Sequence, residues 1–172
     1  MTNRLTQQEL ESYLWGAANI LRGLIDAGDY KQYIFPLLFF KRLSDVWDEE
    51  YTAAYADSDN DGYAQAMANE RFVIPDGAHW TQVRETAKEV GRAIQEALRA
   101  IEAANPGRLD GIFGDAPWTN KERLPDATLK NLLEHFSAYT LSLRSVPEDE
   151  LGNGYEYLIK KFADDSGHTA QE

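Results

Sequence analysis

One stretch, Tyr33 to Trp47 (YIFPLLFFKRLSDVW), limits what this chain can fold into more than any other. From Tyr33 to Phe40 every residue is apolar or aromatic, and Leu43, Val46 and Trp47 continue at helical spacing. A helix that is apolar on all sides has no face to give to water, so it belongs in the middle of a helical domain. The run is too short to cross a membrane, which takes roughly 18 or more apolar residues. Pro36 lies inside it, where a proline either opens the helix or kinks it. The expectation is a set of helices packed around this one.

At 172 residues the chain is long enough for one good core, or two at most. Its 43 % hydrophobic and 12 % aromatic content is that of a globular protein. The net charge of −12 carries more information. A surface this acidic repels phosphate, which excludes a general DNA- or RNA-coating protein. Nucleic-acid contact then needs a local basic patch, a partner or another domain. There is no cysteine, which excludes a disulfide framework, a thiolate metal site and a cysteine nucleophile, and fits a cytoplasmic protein. The opening residues, MTNRLTQQELE, hold no apolar signal core.

Thr6 to Glu9 has capping-box spacing, with Leu5 and Leu10 placed as a hydrophobic staple. Leu10, Leu14, Ala17, Leu21 and Leu24 recur at steps of four and three, which predicts a first helix over 7–27 with Gly28 as its left-handed cap. Asp29 with Gln32 marks the start of the central helix, expected to run to about residue 56. Its second half is acidic: no Lys or Arg stands between Asp45 and Asp61. That run reads first as a solvated helix end and loop. Asp57, Asp59 and Asp61 also spell D-x-D-x-D-G, the opening of an EF-hand-type calcium loop, and are the candidate cation ligands. The bidentate Glu that such a loop needs at its twelfth position is here Ala68, so an exposed acidic turn is the simpler reading.

A short helix is expected over 63–70. Residues 71–75 (RFVIP) are extended, either as a very short strand or as a cover over the core. A third long helix is expected to open at Thr81 and to bury Val83, Ala87, Val90, Ile94, Ala97 and Ile101. Asn105-Pro106-Gly107 stops it. In the loop over 108–125, Ile112, Phe113 and Trp118 are expected to plug the core. The next helix starts at Pro125-Asp126 with the stripe Leu129, Leu132, Leu133 and Phe136. The last runs over about 148–164 with Leu151, Tyr155, Leu158, Ile159 and Phe162. This makes one all-α, bundle-like domain of about five main helices over 1–167. Residues 168–172 would open a linker to a catalytic domain beyond this chain.

No catalytic set stands out. His79, His135 and His168 are far apart, without metal-binding spacing, and His135 reads as a packed or surface histidine. Gly152-x-Gly154 follows no strand and is discarded as a phosphate loop. These residues alone point to binding or scaffolding.

Three segments carry a resemblance: LWGAANILRGLIDAGDYKQYIFPLLFFKRLSDVWDEE (14–50), EALRAIEAANPGRLDGIF (96–113) and DELGNGYEYLIKKFADDSG (149–167). In that order and spacing, the chain resembles the N-terminal helical domain of the modification subunit (HsdM) of type I restriction–modification systems. The resemblance implies an intact subunit that uses S-adenosylmethionine to methylate N6 of adenine in DNA. Its Gly-rich cofactor loop and Asn-Pro-Pro-aromatic motif do not occur here, so no catalytic or cofactor-binding residue is carried over. The implied partners are a specificity subunit that reads the bases, a second modification subunit, a restriction subunit, and DNA held by the complex. No membrane is implied. The family's N-terminal domain is implicated in closing around DNA. Two basic pairs are the DNA-contact candidates: Lys41 with Arg42, and Lys160 with Lys161. Their other reading is as basic side chains snorkelling from amphipathic helices. Two alternatives stay open: a stand-alone helical adaptor, and a calcium-responsive module built on residues 57–62. The reading frame after Glu172 separates the first from the family reading.

Overall fold

α1 (Gln7–Leu21) starts where the T-x-x-E spacing puts it. The Glu9 amide donates to Thr6 Oγ1 at 3.0 Å and the Thr6 amide donates back to Glu9 Oε1 at 3.1 Å, which satisfies two amides of the first turn. Leu5 and Leu10 are both buried beneath the box. The computed structural model describes residues 4–154, 156, 157, 160 and 161. Among them follow a 3-10 turn (Ala27–Asp29), α2 (Lys31–Ser58), α3 (Asp61–Asn69), α4 (Trp80–Arg84), α5 (Val90–Ala104) and α6 (Asp126–Phe136). Residues 148–154 are helical as well. The described residues hold no strand, only an isolated bridge between Arg22 and Ile25, so the architecture is all-α.

α2 is the axis of the molecule. Tyr33, Ile34, Leu37, Leu38 and Phe40 have no solvent exposure, Phe35 has 8 %, and only Phe39 of the run is partly open. Pro36 is the sixth residue of the helix, so it neither starts α2 nor ends it. Around this axis α1 packs on α6, and α5 and α4 pack on α6 and on each other. Trp80 sits where several elements meet. Its ring lies 5.1 Å from Phe40 and 6.3 Å from Phe136, and its indole N–H donates to Ser137 Oγ at 2.8 Å. Among the described residues no helix is long and apolar enough to cross a membrane.

Three boundaries depart from the sequence expectation. α1 ends at Leu21, not residue 27, because Gly23 (φ +89°) turns the chain. That turn leaves Leu24 45 % exposed and sends Ile25 inward. Gly28, expected as the cap, lies in the 3-10 turn. Asp29 does not cap α2; its carboxylate faces Arg123 at 3.7 Å.

The expected third long helix is two helices. Glu89 takes a left-handed conformation (φ +54°), and the amides of Glu89 and Val90 donate to the Asp126 carboxylate at 3.2 and 3.1 Å. A residue that opens α6 thereby also caps α5. Ala87, expected in the core, is exposed at the break. Ile112 is likewise 38 % exposed, while Phe113 and Trp118 do plug the core.

The extended segment 71–75 covers the core without forming a strand. Asn105 holds it: Val73 N–H donates to Asn105 Oδ1, and Asn105 Nδ2 donates to the Val73 carbonyl, both at 2.8 Å. Tyr155, Leu158, Ile159 and Phe162 of the expected last stripe, and residues 162–172, lie outside the described residues.

Candidate functional site

The two basic pairs are placed very differently. Lys41 and Arg42 follow the all-apolar turns of α2 and are drawn into the domain with them. Lys41 is only 5 % exposed. Its ammonium pairs with Asp45 one turn on, donates to the Tyr139 carbonyl at 2.9 Å, and lies 5.9 Å from the centre of the Trp80 ring. Arg42 Nη1 donates to three carbonyls, Leu141, Ser142 and Val146, at 2.8, 3.0 and 2.6 Å. Burial pulls the guanidinium's pKa down, while Glu148, Glu49 and Asp45 push it back up.

The same face of α2 supplies the acceptors. Leu141 N–H donates to Asp45 at 2.7 Å, and the amides of Leu143 and Arg144 donate to the two oxygens of Glu49 at 3.1 and 3.3 Å. Four charged side chains within about two turns of one helix thus hold the main chain of 139–146 as a strap. Charge-assisted bonds of this kind are about twice as strong as neutral ones. A phosphate would have to displace these bonds to reach Lys41, so the DNA-contact expectation rests on the second pair.

Lys160 and Lys161 are exposed. Lys161 Nζ lies 5.8 Å from the centre of the Trp15 ring and 5.8 Å from that of Tyr157. Arg22 also approaches Trp15, at 5.6 Å. Two cations, Arg22 and Lys161, therefore meet one indole on the surface of an otherwise acidic molecule, and the exposed Lys160 adjoins Lys161 in the chain. This helical stretch reaches α1 closely: a Cβ on Gly154 would meet the side chains of Leu10 and Leu14 at 3.0 Å.

The acidic triplet does not form a loop. Asp57 lies in the last turn of α2, Asp59 is its left-handed cap (φ +52°), and Asp61 already opens α3. Both Asp61 oxygens are engaged, by the Tyr51 hydroxyl and by Gln65 Nε2. Helix α3 occupies the chain that a calcium loop would need. Among the described residues no group of three or more His, Asp or Glu side chains is placed to hold a metal. His135 packs against Tyr13, with Nε2 2.6 Å from the Tyr13 carbonyl oxygen, and His79 lies edge-on to Trp47. His168 lies outside the described residues.

A family model described as the HsdM N-terminal domain matches residues 10–136, most of the chain. The chain belongs to the HsdM N-terminal domain family. It is also similar to the Type I restriction enzyme MjaIX methylase subunit of Methanocaldococcus jannaschii, with 22 % identity over 182 residues. That match covers 92 % of this chain and 32 % of the relative. The crystal structure of the type I restriction-modification system methyltransferase subunit from Streptococcus thermophilus shares the fold, with a TM-score of 0.65 at 24 % identity. The likeness covers 94 % of this chain and 40 % of that one. The chain therefore spans less than half the length of either relative.

In this HsdM N-terminal domain, Asp48 stands beside the strap, in a trough of about 450 Å³ with Glu49 and Arg144. Loss of hydration, then the neighbouring Asp45 charge, push its carboxyl up to about 6, against the pull of Lys41. The folded state thus holds a proton that the unfolded chain releases near pH 4. Between pH about 4 and 6 the native state binds more protons, so stability falls as pH rises through that window. Asp48→Asn is expected to be more stable than the parent at pH 7.5 and equal to it below pH 4. Because Asp48 loses only part of its hydration in the trough and more than a third of it stays open to screening water, the gain is at most about 1 kcal/mol. Thermal midpoints at the two pH values check this; an equal difference at both removes the effect from Asp48.

Proposed function

We propose that this domain is the helical, DNA-proximal part of a type I restriction–modification methyltransferase subunit. The observation that carries the reading is the family match over residues 10–136. The all-α core, wrapped around α2, supports it as a docking module. In this reading the whole subunit transfers a methyl group from S-adenosylmethionine to N6 of adenine. It works with a specificity subunit, a second modification subunit and a restriction subunit. The helical domain contributes position, not chemistry. Its net charge of −12 keeps most of its surface away from phosphate. DNA then meets it at one place, the patch of Lys161 and Arg22 around Trp15, with Lys160 next to Lys161 in the chain.

The test uses the whole subunit assembled with its specificity subunit. Lys160→Ala with Lys161→Ala is expected to weaken duplex binding several-fold. It should also flatten the plot of log affinity against log salt by about 2, since each lost phosphate contact removes about 0.9 from the slope. An unchanged slope takes the patch out of the DNA interface. Deleting residues 1–172 from that assembly is expected to reduce methyl transfer and leave S-adenosylmethionine binding by calorimetry intact. Loss of cofactor binding would overturn the division of labour.

A further inference from the structure

The far end of α2 leaves the core and is accompanied by α3. The two form a helical hairpin, joined by Asp59 and Asn60. Ala64 and Ala68 of α3 are buried, and Trp47 Nε1 ties the base of the hairpin to Asn69 at 2.8 Å. One flank stays open. There a groove of about 560 Å³ runs between the helices, with Ala54, Met67 and Tyr63 as its apolar surface. Tyr63 is 49 % exposed, and Tyr55 nearby is 42 % exposed. The groove's charged residues are Glu50, Asp57 and Glu70, with Arg71 as the one cation. Arg71 reaches Glu50 at 2.6 Å, whereas no ion pair to Asp57 or Glu70 occurs among the described residues. Between Arg42 and Arg71 the chain has no Lys or Arg and eight Asp or Glu, so Arg71 alone offsets the charge of this flank, and it does so at Glu50.

We infer that the α2–α3 groove is a docking site for a basic amphipathic helix of a partner protein. Apolar side chains of that helix fill the floor over Ala54 and Met67, and its Arg or Lys residues meet the groove's carboxylates. The spacing fits. Glu50 and Asp57 are seven residues apart on α2, about 10 Å along its axis, which is the separation of i and i+7 on a partner helix, whose cation would share Glu50 with Arg71. Tyr63 offers a ring to a guanidinium as well as an apolar face. The same carboxylates reject nucleic acid, so this surface and the Lys160–Lys161 patch select opposite partners. The inference does not depend on the proposed methyltransferase role.

Binding of a fluorescein-labelled helical peptide to the full chain tests it. The peptide has about four turns, with arginines at i, i+4 and i+7 and leucines between them. The expected dissociation constant at low salt is on the order of 10 µM. Asp57→Lys with Glu70→Lys is expected to weaken binding at least about tenfold. Asp115→Lys with Glu122→Lys, the same charge change on an exposed loop elsewhere, should leave it within about twofold. Asp57 and Glu70 lie at helix C-termini, where a cation is favoured, so the first variant keeps its fold; circular dichroism verifies this. The inference fails if the peptide does not bind. It also fails if a scrambled peptide of equal charge binds as well, or if both variants lose affinity alike.

Discussion

Gly91→Ala is expected to lower the stability of the domain by about 3 kcal/mol, the upper end of what overpacking costs. Gly91 is the second residue of α5, and a Cβ there would sit 1.9 Å from the Trp118 carbonyl oxygen and 2.8 Å from its carbon. The obstacle is main chain, which cannot rotate aside. Moving it would also disturb Trp118, whose buried ring meets Tyr33 edge-on at 5.3 Å in the heart of the core. For a domain of this size the thermal midpoint should fall by roughly 6–12 °C. Gly152→Ala is the control, since nothing lies within 4 Å of a Cβ there and the residue is helical. That change should be neutral or stabilising by up to about 1 kcal/mol. If both variants melt with the parent, the close approach of α5 to the Trp118 backbone is wrong.

Asn105→Ala should cost about 2–4 kcal/mol, because three main-chain groups lose a partner together. The side chain is 3 % exposed and serves Val73 in both directions, and its Nδ2 donates again to the Ile101 carbonyl at 2.7 Å. One amide side chain therefore does for residues 71–75 what a neighbouring strand would do. Asn105→Leu, of similar size, should be no better than alanine, since volume is not what Val73 lacks. Hydrogen exchange gives the local readout: the Val73 amide should lose most of its protection while the interior of α5 keeps its own. A protected Val73 in the variant would mean that another group holds the segment.

What the sequence made legible and what it hid divide on physical grounds. The capping box at Thr6, the stripe of α6 and the burial of Ile34 to Phe40 depend on residues a few positions apart, so local pattern suffices. The break between α4 and α5 does not. Periodicity runs on from Val83 to Ile101, and the stop comes from Asp126, more than thirty residues away. The choice of Gly23 over Gly28 as the turning point likewise follows from which apolar residues the core can accept; it takes Ile25 and Tyr30 and leaves Leu24 outside. For the candidate site, the sequence displays two adjacent basic pairs without distinguishing them. Lys41 and Arg42 are drawn inward by carbonyls about a hundred residues downstream. The extended form of 71–75 is legible in RFVIP, but Asn105 reads only as a helix stop until its partner is seen.

The strap over 139–146 is recognised through its backbone: Lys41, Arg42, Asp45 and Glu49 address amides and carbonyls, not side chains. Such recognition is blind to residue identity but sensitive to spacing. Exposed positions such as Thr140 and Arg144 can be rewritten freely, whereas adding or removing a single residue between Tyr139 and Val146 would shift every carbonyl off its cation. In this corner of the molecule length is the constrained quantity, and composition is negotiable only at the exposed positions, since Leu141, Ser142, Ser145 and Val146 are buried.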